Sequence, residues 1–287
     1  MYKKFFGLTK NPFGSSPDIR FLFTPPHVLE ALASVEHGVS ARKGFVVLTG
    51  KPGTGKTTLL RKALASPALE NVATAFLFNP KGDALDFYEL MLSDFGVSIP
   101  ARTKSGMLLQ LNQWLLEQYQ AGVTCAVFVD EAHTVSDDVL DEIRMLGNLE
   151  TSSEHLLQIV LCGQPKLAER LHEPVNFSLC QRIALWCQTV ALSSEQTSQY
   201  VVERMHVAGA QTSDIFTAEA LEKIFSLSHG VPRVIHLLCE ISLMLAYVEQ
   251  QLKVSGAIVQ SAAADLNLDT HAEELTPGET KPRRSSL

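Results

Sequence analysis

The segment at residues 50–57 restricts the fold of this chain more than any other, because it reads GKPGTGKT. It matches the pattern G-x4-GK[ST]. Its surroundings suit that pattern, since an apolar run typical of a strand precedes it at 45–49 and a helical run follows it at 58–65. In such a loop the glycines let backbone N–H groups wrap around phosphate oxygens, and the N-terminus of the next helix adds a favourable dipole. The segment therefore predicts a strand, a phosphate-binding loop and a helix in succession.

Two side chains of this loop add chemistry that the backbone lacks. Lys56 is expected to reach the β and γ phosphates of a nucleotide, and the hydroxyl of Thr57 is expected to ligate Mg²⁺. The predicted nucleotide-binding residues of the loop are Gly50, Pro52, Gly53, Thr54, Gly55, Lys56, Thr57 and Thr58. The loop therefore predicts a site for a nucleoside triphosphate with its magnesium ion.

A second motif, CAVFVDE at 125–131, is an apolar strand that ends in two carboxylates. Asp130 is expected to hold Mg²⁺ through water, and Glu131 to polarise the attacking water as general base. The following residues extend the motif to the string DEAH, which is also a helicase box. Such helicases need a second RecA-like domain, and nothing after residue 200 predicts a second sheet. The motif therefore favours hydrolysis by a single P-loop domain.

Three further polar residues are candidates for controlling hydrolysis at this site. Asn79 ends the second predicted strand, where it could hold Glu131 in an inactive rotamer; a turn-forming asparagine before proline is the alternative. Gln164 follows the fourth predicted strand, at the place of a sensor for the γ phosphate or the lytic water. Arg233 lies at the start of a helix, directly after the segment Gly230-Val231-Pro232. It is predicted to contact the γ phosphate and so close the lid domain onto the nucleotide.

An arginine from a neighbouring subunit usually completes a site of this design. Arg182, just before the fifth predicted strand, is the predicted residue, and Arg170 is the alternative. Such an arginine does not reach the nucleotide of its own subunit. The prediction therefore includes a homo-oligomer, either a hexameric ring or a helical filament.

Strand-like apolar runs alternate with helical patterns through the first two thirds of the chain. The runs are 45–49, 73–78, 125–129, 157–162 and 185–192. This alternation predicts an α/β fold with a P-loop parallel sheet flanked by helices, and three helical patterns after residue 210 predict a small all-helical lid domain. The expected divisions are an N-terminal arm docked on the core at 1–35, the ATPase core at 36–209, the helical lid domain at 210–268 and a disordered tail at 269–287.

Composition restricts the partners and the location. The formal net charge is −7, so the whole molecule repels phosphate backbones and anionic lipid. The four short basic clusters, each also typical of a solvated surface, are Arg42-Lys43, Arg61-Lys62, Arg102 to Lys104 and Arg283-Arg284. Five cysteines without a CxxC pair indicate a reducing cytoplasm. No signal peptide is predicted, and the longest apolar stretch, 234–248, is too short to span a bilayer, so no direct membrane insertion is expected.

Taken together, these motifs resemble the general secretion pathway protein A family of AAA+ ATPases, the ExeA type. The resemblance runs from Met1 to about Leu266 and rests on the segments 5–8, 11–13, 44–50, 130–133, 143–150, 163–165, 181–183 and 230–233. It implies ATP as the nucleotide and a cytoplasmic, oligomeric ATPase that supports assembly of envelope or secretion machinery.

Three hypotheses share this site and differ in the partner. The leading one is an ATP-driven assembly or remodelling factor acting on an unidentified protein. The second is a regulator of transposition that assembles on duplex DNA, because that related AAA+ branch is similar in the same motifs. The third is a scaffold whose oligomer formation is switched by ATP and whose hydrolysis is slow. Adenine-pocket candidates are Phe13, Phe23 and His27, for which packing of the arm is the alternative interpretation.

Overall fold

The computed structural model describes residues 2–14, 18–99, 102–152 and 154–268. The chain forms two compact units. The sheet unit comprises Ser16–Ala191, and the helical unit combines Met1–Ser15 with Leu192–Leu287. The expected disordered tail, 269–287, lies outside the described residues.

The sheet unit is built on parallel strands in the order β2-β3-β4-β1-β5. The strands are β1 Phe45–Gly50, β2 Val72–Phe78, β3 Thr124–Asp130, β4 Leu157–Gly163 and β5 Ile183–Thr189. Every residue of β4 is buried, as expected of an interior strand that helices cover on both faces. The edge strand β5 instead alternates between half-buried and exposed positions along most of its length. The predicted P-loop parallel sheet is confirmed.

Among the described residues the α-helices are α1 Tyr2–Phe5, α2 Pro26–Ser40, α3 Lys56–Leu64, α4 Ala84–Asp94, α5 Lys104–Gln120, α6 Asp137–Leu146, α7 Pro165–Leu171, α8 Phe177–Cys180, α9 Ser194–Val207, α10 Ala218–Ser228, α11 Pro232–Val248 and α12 Gly256–Asp265. Helices α2 to α8 belong to the sheet unit and cover both faces of the sheet, whereas the other helices belong to the helical unit. Side chains of β1 alternate between two cores. Phe45 and Val47 pack with α4 to α8, whereas Val46 and Leu48 pack with α2 and α3.

The helical unit contains α1 and α9 to α12, and the N-terminal residues pack within it. Arg204 Nε on α9 donates a hydrogen bond to the Pro12 carbonyl oxygen at 2.6 Å. The Phe13 ring meets the Phe216 ring edge to face at 6.2 Å between centroids. Tyr2 Oη donates to the Glu240 carboxylate at 3.0 Å. Residues 2–14 therefore belong to the helical unit.

These units differ from the division expected from the sequence. The expected arm at 1–35 is split, because residues 2–14 pack against α9 and α11 while α2 packs on the sheet. The second boundary lies before α9 rather than at 210. The fifth strand also ends at Thr189 instead of residue 192. Leu192 belongs to the helical unit, where its N–H donates to the Gly230 carbonyl oxygen.

Across the described ranges, no helix combines the length and the apolar composition that crossing a bilayer requires.

Candidate nucleotide site

The loop between β1 and α3 depends on glycine at three positions. Gly53 and Gly55 have φ angles of 79° and 95°, in the left-handed region that side chains disfavour. A Cβ atom on Gly50 would lie 2.1 Å from Thr189 Oγ1, so β5 leaves no room for a side chain there. The sequence pattern of the loop therefore follows from its backbone and from the close approach of the neighbouring strand.

Backbone carbonyls hold the lysine of this loop. Lys56 is 6% exposed, and its Nζ donates to the carbonyl oxygens of Gly50 at 2.9 Å and Lys51 at 3.2 Å. Thr54 is also buried, with its Oγ1 2.7 Å from Thr189 Oγ1. Pro52 is exposed on the loop. The ammonium group is therefore positioned at the loop by acceptors that phosphate oxygens can replace.

The structure brings the two predicted metal ligands together. Thr57, in the first turn of α3, donates from Oγ1 to Asp130 Oδ2 at 2.7 Å, although β4 separates β1 from β3 in the sheet. Asp130 is fully buried, and its Oδ1 accepts a hydrogen bond from the Glu131 N–H at 2.9 Å. A hydroxyl and a carboxylate beside a phosphate loop are the hard oxygen ligands that Mg²⁺ prefers. The residues present therefore fit a magnesium nucleotide.

Glu131 follows Asp130 in a left-handed backbone conformation, with φ of 56°. The carboxylate follows this turn at the end of the strand, and the Glu131 side chain is 32% exposed. Oε2 of Glu131 lies 3.2 Å from Nδ1 of His133. The carboxylate predicted to act as base therefore has a partner on its own turn.

Asn79 supports the same turn through Thr134. Its own φ is 49°, and its backbone N–H donates to the Asp130 carbonyl oxygen at 3.2 Å. The Thr134 hydroxyl oxygen lies 3.1 Å from Asn79 Oδ1 and 2.8 Å from the Glu131 carbonyl oxygen. In this structure Asn79 thus contacts the backbone of the turn, while the Glu131 carboxylate meets His133.

Gln164 stands between β4 and α7, where the sequence predicted a sensor. Its backbone N–H points to His133 Nδ1 at 3.4 Å. Burial lowers the pKa of His133, and the positive charges of Lys56, Lys166 and Arg170 act in the same direction against the opposing effect of Glu131. His133 was not among the predicted site residues. The sequence signal for His133 is the DEAH string, which also matches a helicase box.

The two candidate arginines differ in their exposure and in their hydrogen-bond partners. The side chain of Arg170 is 15% exposed, and its guanidinium donates to the carbonyl oxygens of His133 at 3.0 Å and Val135 at 2.9 Å, with a further ion pair to Asp137. Arg182 is exposed, and its Nη1 donates at 3.3 Å to the Arg144 carbonyl oxygen. Arg170 therefore supports its own subunit, whereas Arg182 lies on the surface.

The remaining predicted residues lie in different places. Arg233 is exposed in the first turn of α11 in the helical unit. Thr58 is half-buried at the start of α3. Of the adenine-pocket candidates, Phe13 is buried in the helical unit, where Phe216 and His236 contact it, whereas Phe23 and His27 are half-buried residues of the sheet unit. Phe13 thus does not join the other two within one unit.

Known proteins resemble this chain in sequence. Residues 39–171 match the protein family described as AAA domain. The chain is 36% identical over 270 residues to General secretion pathway protein A of Aeromonas hydrophila, an alignment that covers 93% of this chain and 49% of that protein. The chain thus spans about half the length of this relative.

Solved structures of AAA+ proteins share the fold. The ORC2 protein of Aeropyrum pernix, in its ADPNP–ADP complexes, aligns with a TM-score of 0.65 and 16% identity over 89% of this chain and 71% of that one. Cdc6p of Pyrobaculum aerophilum aligns with a TM-score of 0.68 and 14% identity over 90% of this chain and 71% of that one. The chain is thus a P-loop protein with the AAA+ fold, related in sequence over most of its length to General secretion pathway protein A.

Proposed function

We propose that this chain binds MgATP and hydrolyses it at an interface between subunits. The observation that carries the proposal is the 2.7 Å contact between Thr57 Oγ1 and Asp130 Oδ2, beside the buried Lys56 and next to Glu131. Lys56 and the loop amides would bind the phosphates, and Thr57 and Asp130 would hold the metal ion. The Glu131 carboxylate would accept the proton of the attacking water.

The proposed site is incomplete in one subunit. Arg170 is engaged by carbonyl oxygens of its own chain, whereas Arg182 is exposed on the sheet unit. We assign Arg182 as the residue that stabilises the transferring phosphoryl group of a neighbouring subunit, and Arg233 as the residue of the helical unit that senses the γ phosphate. Gln164, at the carboxyl end of β4, would sense the γ phosphate or orient the water. Turnover would then depend on the oligomer.

The relative named General secretion pathway protein A supports a role in assembling or remodelling secretion or envelope machinery. A cytoplasmic location follows from the need for ATP and agrees with the five free cysteines. The protein on which the ATPase acts would be contacted outside the nucleotide site.

DNA binding is the second candidate, and three ion pairs at two arginines weaken it. Arg42 pairs with Glu154 at 2.7 Å, and Arg102 pairs with Asp86 and Glu89 at 2.9 Å. Two of the basic clusters therefore carry carboxylates beside their arginines, which reduces their attraction for phosphate backbones. The switched-scaffold hypothesis uses the same site, but in it ATP mainly controls oligomer formation and hydrolysis is slow.

One experiment tests these functions together: phosphate release and light scattering are measured in parallel, with ATP, with and without duplex DNA, over a salt series. We expect ATP-dependent oligomers, hydrolysis by the wild type, and neither oligomers nor hydrolysis in Lys56→Ala. Absence of both phosphate release and ATP-dependent oligomers in the wild type would overturn the proposal. Salt-sensitive stimulation by DNA would favour the second candidate, and oligomers without turnover would favour the scaffold.

A further inference from the structure

Two apolar side chains are exposed a few residues before Arg182. Val175 is 71% exposed and Phe177 is 58% exposed, whereas Asn176, which lies between them, is buried. Protein surfaces usually show the reverse arrangement, in which the polar residue is outside and its large apolar neighbours are covered. This inverted order within three residues indicates a surface that another protein molecule covers.

Inward contacts of the same segment keep these two side chains outside. Asn176 ends the 3-10 helix Pro174–Asn176, and its Nδ2 donates to the Arg170 carbonyl oxygen at 2.9 Å. Leu179, on the short helix α8 that follows, is buried in the core of the sheet unit. Asn176 and Leu179 therefore fix the segment with Val175 and Phe177 toward the solvent.

The backbone of α8 connects this segment directly to Arg182. The Gln181 N–H donates to the Phe177 carbonyl oxygen, and the Arg182 N–H donates to the Leu179 carbonyl oxygen, both at 3.0 Å. Five residues at a helical rise span about 8 Å, so Phe177 lies close to Arg182. We call Val175 and Phe177 the finger patch, because any molecule that contacts Arg182 also comes close to them.

A second exposed aromatic side chain lies at the proposed nucleotide site. Phe78 is the last residue of β2 and is 65% exposed, whereas the rest of that strand is buried or half-buried. It stands in register with Asp130 on the neighbouring strand β3, and such neighbours lie about 5 Å apart. We call the ends of β2 and β3, with Phe78 and Asp130, the nucleotide edge.

We propose that the finger patch packs against the nucleotide edge of a second copy of this chain, with Phe177 close to Phe78 of that copy. The inference rests on the proposed function, because an Arg182 that reaches the nucleotide of another copy brings these two surfaces together. The contact joins different surfaces of the two copies, so it repeats from copy to copy and builds a ring or a filament. Aromatic side chains at the centre of such a contact supply a large part of its affinity.

Photo-cross-linking tests which surfaces meet. The photoreactive amino acid p-benzoylphenylalanine is introduced in place of Phe177, and the purified full chain is irradiated with magnesium and a non-hydrolysable ATP analogue. Mass spectrometry of the cross-linked dimer should locate the bond between position 177 of one copy and residues 78–82 of the other. Cross-links between two finger patches, or no cross-linked dimer, would overturn the inference.

Charged substitutions test how much the contact contributes. Phe177→Asp should weaken ATP-dependent association about tenfold or more, measured by sedimentation over a range of protein concentrations. Adding Phe78→Lys to the same chain places opposite charges across each interface and should restore part of this loss, which a folding defect would not do. Leu109→Asp, on α5, is the control, because Leu109 is as exposed as Val175 and lies outside both surfaces.

Unchanged association of Phe177→Asp would contradict the inference, and absence of any rescue by Phe78→Lys would reject the pairing of the two aromatic residues. The proposed function fails differently. If Phe177→Asp assembles and hydrolyses ATP as the wild type does, the ATPase proposal stands and only this interface is rejected. If the cross-link forms with the analogue but the wild type releases no phosphate, the interface stands and hydrolysis is rejected.

Discussion

At the scale of single residues, the burial of Asp130 explains why the two proposed metal ligands lie together. A fully buried carboxylate needs hydrogen-bond donors, and this one receives the Thr57 hydroxyl and the Glu131 N–H. The same bond to Thr57 keeps the two proposed metal ligands together before any ion is bound. Metal binding would exchange this contact for coordination, with little movement of either residue.

Glu131→Gln separates binding from hydrolysis. The substitution leaves Lys56, Thr57 and Asp130 unchanged, so affinity for MgATP, measured by calorimetry, should stay within about threefold of the wild type. Loss of the base should lower kcat by about 10²-fold or more. Glu169→Gln, on the exposed face of α7, is the control and should behave as the wild type. Undiminished turnover in Glu131→Gln would show that another group acts as base.

At the scale of elements, the start of α11 is fixed by a close backbone approach. Gly230 has a φ of 72°, and a Cβ atom on it would lie 1.9 Å from the Leu192 carbonyl oxygen. The Leu192 N–H donates to the Gly230 carbonyl oxygen at 2.9 Å. This contact within the helical unit sets where α11 begins, and therefore where the unit carries Arg233.

Gly230→Ala should therefore weaken the helical unit. The left-handed φ alone costs an alanine about 1–2 kcal/mol, and the collision with backbone adds about 1–3 kcal/mol. Gly7→Ala is a matched control in the same unit, because Gly7 has a φ of 69° with no atom within 4 Å of a Cβ. Hydrogen exchange of α11 amides during urea titration measures both losses. Equal losses in the two variants would show that the approach to Leu192 carries no cost.

At the scale of the whole molecule, catalysis by Arg182 would require a second copy of the chain. Lys56→Ala subunits would lack nucleotide but keep Arg182, whereas Arg182→Ala subunits would keep nucleotide but lack the arginine. Arg182 is exposed and donates to a single carbonyl among its described contacts, so its removal should leave the fold intact.

Mixing the two variants tests this arrangement. Arg182→Ala alone should lose about 10³-fold in turnover, and adding Lys56→Ala subunits should restore part of it at mixed interfaces. Arg61→Ala, which removes another exposed arginine of the sheet unit, is the control and should turn over normally. If the mixture is no more active than its components, Arg182 does not act between subunits.

Local pattern predicted much of the site because its chemistry is local. Gly50, Gly53 and Gly55 lie within one loop of eight residues. Asp130 ends a strand of continuous apolar character, and Glu131 directly follows it. Apolar runs also predicted the parallel sheet, since interior strands are buried on both faces. Local pattern does not predict that His133 contacts Gln164, because these two residues meet only where the ends of β3 and β4 lie side by side.

The sequence by itself determined that this chain has a P-loop, a parallel sheet and helices after it, because these depend on residue spacing and on the periodicity of apolar side chains. The tertiary structure decided which distant residues meet. It paired Thr57 with Asp130 across an intervening strand, and in the helical unit it brought the Pro12 carbonyl oxygen within hydrogen-bond distance of Arg204. Such contacts join residues far apart in the chain, so no local spacing encodes them, and burial of the charged partner selects them.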